Sequence, residues 1–277
     1  MAKKDINEMS FLDHLEDLRW HLIRICSAVM IVATLAYIFS RFIFDQIIFA
    51  PLHMDFPTYD FLCKVAQFLE VDTTFCADKI PLILQNRTMA GQFSADIWTA
   101  ILAGFVISFP YVIYQLWSFI SPGLHSNERK HSRGFIIICS ILFFIGVLFG
   151  YYIITPLSIN FLANYSISTM VDNQIDISSY IALVRASALA SGLIFELPII
   201  IYFLTKVGLV TPEVLKKYRK YAMVIVLILS AVITPPDIAS QVIVAIPILI
   251  LYQISITISK IVVRNQKRKE KKDVRVR

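Results

Sequence analysis

The chain has 277 residues, of which 57% are hydrophobic and 17% are charged, and its mean hydropathy is +0.68. These values exclude an ordinary soluble globular domain and indicate an integral membrane protein with several spans. The formal net charge of +6 is concentrated in a few connections and in the C-terminal tail, where it reports membrane topology more than the nature of a partner.

The N-terminal segment 1–21 has the pattern of an amphipathic helix. Its polar residues fall on one side, and its apolar residues recur at helical spacing on the other, at Phe11, Leu12, Leu15 and Leu18. We predict a short amphipathic helix at the cytoplasmic surface that feeds the first span. Because this segment mixes acids with bases and has no small-residue cleavage site, we expect it not to be a cleavable signal.

Six apolar segments predict an all-α integral membrane protein with a transmembrane domain at 22–262. Most of the segments have the roughly 20 residues that a spanning helix needs. The fifth has only 13 uncharged residues, about 20 Å of helix, so that bilayer thinning or neighbouring helices must shelter it. The predicted spans are about 22–44, 97–120, 134–155, 180–205, 221–234 and 241–259.

The distribution of Lys and Arg predicts the orientation of these spans. Basic residues occur in the connections 120–133 and 206–220 and in the tail 263–277, whereas 156–179 and 234–240 carry none. By the positive-inside rule both termini are cytoplasmic in a bacterial inner membrane. We expect the basic tail to meet anionic lipid headgroups and not nucleic acid.

The outward loop 45–96 is the largest element predicted outside the membrane. Apolar residues at helical spacing within it predict a small folded cap. Cys63 and Cys76 both lie in this loop, and an oxidising compartment makes them a candidate disulfide. Cys26 and Cys139 lie in apolar runs and are expected to be small packing residues.

The fourth span contains two charged residues, Arg185 and Glu196. They are eleven residues apart, about 16 Å along a helix, and therefore cannot pair with each other. A charged group at the centre of a span costs about 2.5 to 3.5 kcal/mol and usually faces a cavity or a partner. Pro198 removes the backbone hydrogen bond to Ile194, so that the helix should bend or open beside Glu196.

The motifs bear on three classes of function: an enzyme, a coupled transporter, and a receptor or channel component. The chain has no HExxH zinc motif, no GxSxG nucleophile elbow and no pair of aspartates within its spans, so we expect it not to be an enzyme and predict no metal or cofactor. His14 and His21 lack a third ligand and are expected to be plain surface residues. The alternative function is an ion- or proton-coupled secondary transporter that uses Glu196. Substrate or proton flux into vesicles that contain the purified chain alone would favour this alternative.

The third class is a receptor or channel component that recognises another polypeptide. Four motifs in order carry a resemblance to a known family: "FLDHLEDLR" before the first span, "FISPGLHSNER" between the second and third, "FELP" in the fourth and "TPPDIASQ" after the fifth. Together they resemble the TatC family, the multispanning core subunit of the twin-arginine protein translocase. The resemblance implies six helices arranged as a glove-shaped, concave bundle.

The resemblance also implies a binding site for Arg-Arg signal peptides of folded cargo. The two family acids fall on Asp17 and Glu128. The family normally has Glu at the first position, and here Glu16 precedes Asp17, so that either Glu16 or Asp17 is the acid that meets the arginine, with Asp17 favoured by register. A guanidinium held by two hydrogen bonds from one carboxylate is an interaction that lysine cannot copy. The other residues implied at this site are Arg19, Phe119, Pro122 and Leu124.

A second set of residues is implied within the membrane or at its outer edge. Glu196 corresponds to the family's intramembrane Glu, and Asp237 and Gln241 to polar elements at the outer ends of the fifth and sixth spans. Pro51 and Pro198 are expected to be structural. The implied partners are TatA- and TatB-type single-span proteins and further copies in a complex, with the proton gradient and no nucleotide as the energy source.

Overall fold

The computed structural model describes residues 11–53, 55–68, 82–120, 132–168, 173–234 and 238–276. The described residues are almost entirely helical, which confirms the predicted all-α fold. In chain order the α-helices are α1 Phe11–Ile38, α2 Ser40–Phe42, α3 Pro57–Phe68, α4 Gly91–Ile120, α5 Ser132–Phe149, α6 Thr155–Asn164, α7 Ile177–Phe195, α8 Leu197–Lys206, α9 Pro212–Lys217, α10 Arg219–Ile233 and α11 Ile238–Val276.

Shorter elements join these helices. Two π-helical turns lie at Ile43–Ile48 and Gly150–Ile154, and a 3-10 turn lies at Ala50–Leu52. The strands β1 Ile83–Gln85 and β2 Gln174–Asp176 pair in a two-stranded sheet. The helix α3 lies within the loop for which the sequence predicted a folded cap.

Among the described residues, five helical stretches are long and apolar enough to cross a membrane. The predicted fifth span corresponds to α10, which has only 15 residues, about 22 Å of helix. It is shorter than the roughly 30 Å hydrocarbon core of a bilayer. The five longer stretches are Leu15–Ile38, Gly91–Ile120, Gly134–Asn164, Ile177–Lys206 and Ser240–Arg268.

Three helices extend beyond the limits expected from hydropathy. The predicted amphipathic segment and the first span form one continuous helix, α1. The third span continues from α5 through its π-turn into α6 and ends at Asn164. The last helix, α11, runs on to Val276, because nothing in the Lys- and Arg-rich sequence after Lys260 breaks a helix.

The chain forms two compact units. The first unit comprises Met1–Ala50, Leu84–Phe144 and Ile175–Arg185. Within it α1 packs along α4, and their closest approach is at Gly104. A Cβ atom on Gly104 would lie 2.7 Å from the Ala33 nitrogen and 2.8 Å from the Val29 carbonyl oxygen. Only glycine therefore allows the two backbones to come this close.

The second unit comprises Pro51–Ile83, Ile145–Gln174 and Ala186–Arg277. Here Gly146 lies against the Ser191 carbonyl and Gly150 against the Ser187 carbonyl. Gly146 and Gly150 are four residues apart on one helix, and Ser187 and Ser191 are four residues apart on the other. Small residues at this spacing let membrane helices pack backbone to backbone. The adjoining buried core consists of Ile154, Val226, Val244, Ala245 and Ile248.

The Gly104 contact can be tested with a conservative substitution. We expect Gly104→Ala to destabilise the protein by about 1 to 3 kcal/mol, because the new methyl group must push α1 away from α4. The measurement is the thermal unfolding midpoint of the purified protein in detergent. Gly134→Ala is the matched control, since a Cβ there meets nothing within 4 Å and Ala favours the helix. A Gly104→Ala protein as stable as the Gly134→Ala protein would contradict the close approach.

Candidate functional site

The N-terminal end of α1 carries the first group of predicted site residues. Glu16 and Arg19 are exposed, and the Asp17 side chain is 44% exposed. Successive residues on a helix are rotated by about 100°, so Glu16 and Asp17 point in different directions and Arg19 lies about 200° from Asp17. Asp17 is the acid of this group that lies toward α4, through its neighbour His21.

His21 connects α1 to α4 through a buried hydrogen bond. The residue is only 8% exposed, and its Nδ1 lies 2.7 Å from Oε1 of Gln115. Nε2 of Gln115 donates to the Tyr111 hydroxyl at 2.6 Å. The amide oxygen therefore accepts from His21, which places a proton on Nδ1 and turns Nε2 toward Asp17, 4.0 Å from Oδ1.

Phe119 completes this group. Its ring packs edge-on against the His21 ring, with the centroids 6.0 Å apart and the planes at 64°. We call Asp17, His21, Tyr111, Gln115 and Phe119 the His21 cluster. In this cluster two of the predicted site residues, Asp17 and Phe119, both contact His21. Three others, Pro122, Leu124 and Glu128, lie outside the described residues.

The expectation that His21 is a plain surface residue is wrong. The helical pattern places it on the polar side of α1, but that side faces α4, where Gln115 supplies a hydrogen-bonding partner. A buried imidazole needs such a partner, because leaving it unpaired costs free energy. The local sequence contains no sign of the pairing, since the two residues are 94 positions apart.

Glu196 lies at the junction of α7 and α8 and is 7% exposed. Its backbone N–H donates to the Leu193 carbonyl, and its own carbonyl accepts from Ile199 and Ile200. The break follows from Pro198, which occupies the first turn of α8 and has no N–H to donate to α7. Among the described residues, Oε1 of Glu196 has no hydrogen-bond partner.

Two hydrogen bonds between side chains or from a side chain to a carbonyl join helices of the second unit. The Thr205 hydroxyl donates to the Ser259 hydroxyl at 2.9 Å in a buried contact between α8 and α11. The Tyr252 hydroxyl donates to the Leu215 carbonyl at 2.8 Å and joins α11 to α9. Glu196 is a buried carboxyl with an unused oxygen, and the Ser158 and Ser187 hydroxyls of the same unit also lack a partner among the described residues.

The remaining predicted residues have structural contacts or lie outside the described part of the chain. Gln241 donates from Nε2 to the Leu227 carbonyl at 3.0 Å and so joins α11 to α10. The buried Pro51 accepts from the Tyr59 hydroxyl at 2.9 Å. Cys63 is disulfide-bonded, whereas Cys26 and Cys139 are free. Asp237 and Cys76 lie outside the described residues, and the pairing of Cys63 with Cys76 stays a prediction.

Metal binding finds no support in the described part of the chain. There, no three side chains of His, Cys, Asp or Glu come together as a metal ion would require. Of the predicted site residues that the structure describes, the carboxylates lie at the start of α1 and at the α7–α8 junction. Both can accept hydrogen bonds from a cationic or neutral donor.

The family of the chain follows from comparison with known proteins. The model of the family "Sec-independent protein translocase protein (TatC)" matches residues 13–247. The chain belongs to the TatC family. The TatC protein of Blattabacterium sp. subsp. Periplaneta americana (strain BPLAN) is 45% identical over 258 residues, which are 93% of this chain and 97% of that protein. TatCy of Bacillus subtilis (strain 168) is 33% identical over 273 residues, 99% of this chain and 97% of that protein.

A solved TatC structure supports the same assignment. The crystal structure of the twin-arginine translocase receptor TatC matches with a TM-score of 0.69 and 31% identity, and covers 90% of this chain and 99% of that chain. TatC proteins are components of a protein translocase, so the prediction that the chain is not an enzyme is confirmed. The chain is a TatC-type membrane protein of the Sec-independent translocation system.

The His21–Gln115 bond makes a testable contribution to stability. We expect Gln115→Leu to destabilise the protein by about 1 to 3 kcal/mol, because it leaves a buried imidazole N–H without an acceptor. The thermal unfolding midpoint in detergent measures this effect. Gln92→Leu on the same helix is the control, since Gln92 is exposed and its loss should change stability by less than about 0.5 kcal/mol. Equal midpoints for the two variants would show that the bond adds nothing.

Proposed function

We propose that this chain is the signal-peptide receptor and core subunit of a twin-arginine translocase. It lies in a bacterial inner membrane with both termini in the cytoplasm, and it binds Arg-Arg signal peptides of folded cargo proteins. The observation that carries this proposal is the contact of both Asp17 and Phe119 with His21 at one end of α1 and α4. Glu128 follows the end of α4 by eight residues.

The proposed site holds the arginine pair with two carboxylates. Asp17 and Glu128 each accept hydrogen bonds from one guanidinium, whose planar fork matches a carboxylate. The exposed Arg19 points away from Asp17 and does not neutralise it. We favour Asp17 over Glu16 because Asp17 lies beside the buried His21 and the Phe119 ring, where a bound side chain is partly shielded from water.

Apolar contacts complete the proposed site. Phe119, Pro122 and Leu124 supply surface for the apolar part of the signal beside the arginine pair. Carboxylates next to apolar surface make the site specific for arginine. A guanidinium that is removed from water by this surface is stable only if a carboxylate is in place to pair with it. Lysine has the same charge but presents a single ammonium, and it should therefore bind less well.

Glu196 is the second, deeper element of the proposal. Its unpaired oxygen lies at a helix break inside the fourth span, and a polar group in that position needs a partner or water. We propose that it receives a hydrogen bond during assembly with TatA- or TatB-type single-span proteins, near the fourth to sixth spans. Asp237 and Gln241 are the proposed polar contacts at the outer end. The proton gradient supplies the energy, and no nucleotide is used.

Signal-peptide crosslinking tests the arginine site. We expect Arg-Arg peptides to crosslink to probes at positions 16, 119 and 124, which leave Asp17 and Glu128 in place, and Lys-Lys peptides to crosslink at least about tenfold less, because charge-assisted fork contacts are lost. Asp17→Asn and Glu128→Ala should each reduce capture by a similar factor while membrane insertion is unchanged. Glu16→Gln is the matched control and should retain capture. Equal crosslinking of the two peptides would overturn the proposed receptor function.

Separate measurements of binding and export test the role of Glu196. We expect Glu196→Ala to bind signal peptide normally but to lose assembly with partner helices or export of folded cargo, because the intramembrane acceptor is gone. Glu213→Gln removes one acid outside the spans and should leave both intact. If the Glu196→Ala protein exports normally, Glu196 is a tolerated polar core residue and the partner site lies elsewhere.

A further inference from the structure

The first unit contains a polar cavity where α4 and α7 begin. Its volume is about 260 Å³, several times the roughly 30 Å³ that one water occupies in the liquid. Among the residues that the structure describes, no acidic side chain lines the cavity. The lining residues are Thr88, Ala90, Gly91, Ser94, Ala95, Ser178 and Arg185, so one cation and three hydroxyls face the same space.

Arg185 is the one charged residue that the described part of the chain contributes to this cavity. Its Nη1 is buried and has no hydrogen-bond acceptor among the described residues. Arg185 lies eight residues after Ile177, the first residue of α7, about 12 Å along the helix axis. Side chains on a helix tilt toward its N-terminus, so the guanidinium extends toward Ser178 and the membrane interface.

Gly91 shapes the wall of the cavity. A Cβ at this position would lie 2.8 Å from Oδ1 of Asn86 and 3.0 Å from the Ser178 hydroxyl. The glycine thus permits the first turn of α4 to approach the first turn of α7. The helix dipoles of both segments place their positive ends here, which adds to the charge of Arg185.

Asp176, two residues before the cavity residue Ser178, is engaged elsewhere. Its carboxylate accepts from the Ser178 N–H at 2.9 Å and from the Arg87 N–H at 3.1 Å. These bonds lower the pKa of Asp176 below its usual value, so it remains ionised and fixed at the start of α7. Asp176 is absent from the cavity lining, and no described acid forms an ion pair with Arg185.

We infer that this cavity binds a phosphate oxyanion, and that its occupant is the headgroup of an anionic phospholipid. A guanidinium and hydroxyl donors are the groups that bind phosphate oxygens, and Arg can hold two of them at once. The cavity lies at the ends of two spans, the level at which lipid headgroups are found. A phosphodiester would supply the acceptor that Nη1 lacks, whereas water alone would leave the charge uncompensated.

Lipid binding by the purified full chain in an uncharged detergent tests this inference. Phosphatidylglycerol is titrated by native mass spectrometry, with diacylglycerol as the probe that lacks phosphate and inorganic phosphate as the probe that lacks acyl chains. We expect phosphatidylglycerol to bind and diacylglycerol not to bind. Arg185→Gln should weaken phosphatidylglycerol binding about tenfold or more, because it removes charge-assisted hydrogen bonds.

Arg41→Gln is the matched control. Arg41 is exposed near the end of the first span and is not part of the cavity lining; its loss should change binding by less than about twofold. Should Arg185→Gln fail to fold, two other variants replace it. Arg185→Lys keeps the positive charge but loses the planar guanidinium, and the double variant Ser94→Ala with Ser178→Ala keeps the arginine but removes two hydroxyls. Each of these is expected to weaken binding severalfold.

Two outcomes would overturn the inference: equal losses for Arg185→Gln and Arg41→Gln, which indicate a diffuse charge effect, or equal binding of diacylglycerol and phosphatidylglycerol. Binding of inorganic phosphate that depends on Arg185, with no advantage for phosphatidylglycerol, would support the oxyanion site and overturn the lipid as its occupant. None of these measurements involves a signal peptide, so they are independent of the proposed receptor function.

Discussion

Contact between backbones at small residues determines how closely neighbouring spans approach each other. Lipid chains are as apolar as leucine, so burial of apolar surface does not hold membrane helices together as it does in water. Close packing and hydrogen bonds must do so instead. Gly104 allows this contact for α1 and α4, and the pairs Gly146 with Ser191 and Gly150 with Ser187 allow it for the third and fourth spans. The positions of Glu196 and of the His21 cluster depend on these contacts.

Polar groups buried by such packing have two different outcomes. His21 with Gln115, and Thr205 with Ser259, form hydrogen bonds between helices and so contribute to a unique arrangement. Other groups keep a buried polar atom without a partner among the described residues. These are Glu196, Arg185, Asp96, Ser108, Ser158 and Ser187. The first kind is explained by stability alone. The second kind costs free energy in the isolated chain; Glu196, at a helix break, and Arg185, in a cavity, are the two for which we make functional proposals.

Features with a local cause were predictable from the sequence. The spans follow from runs of apolar residues, and the break at Glu196 follows from the missing N–H of Pro198. The burial of His21 was not predictable, because it depends on Gln115, a residue 94 positions away that reaches α1 only after the helices pack. The cavity at Arg185 has the same origin, since its lining comes from α7, from the start of α4 and from the turn before α4.

The continuity of α1 and α11 was also missed, for a different reason. Hydropathy marks where a chain leaves the membrane, but a helix ends only where its backbone pattern is interrupted. Asp17 and Arg19 do not interrupt it, nor do the Lys and Arg residues after Lys260. The shortness of α10 was predicted because there the cause is local: a Pro pair follows directly in the sequence.

The length of α11 determines how far its C-terminal end lies from the bilayer. Its 39 residues correspond to about 58 Å of helix, nearly twice the thickness of the hydrocarbon core. Part of it therefore stands clear of the bilayer as a stiff rod and not as a flexible tether. Charges farther than about 8 to 10 Å from the surface interact weakly with anionic lipids at physiological salt. A reporter joined to this end would be held at a defined distance from the membrane, and its position would report rotation of the last span.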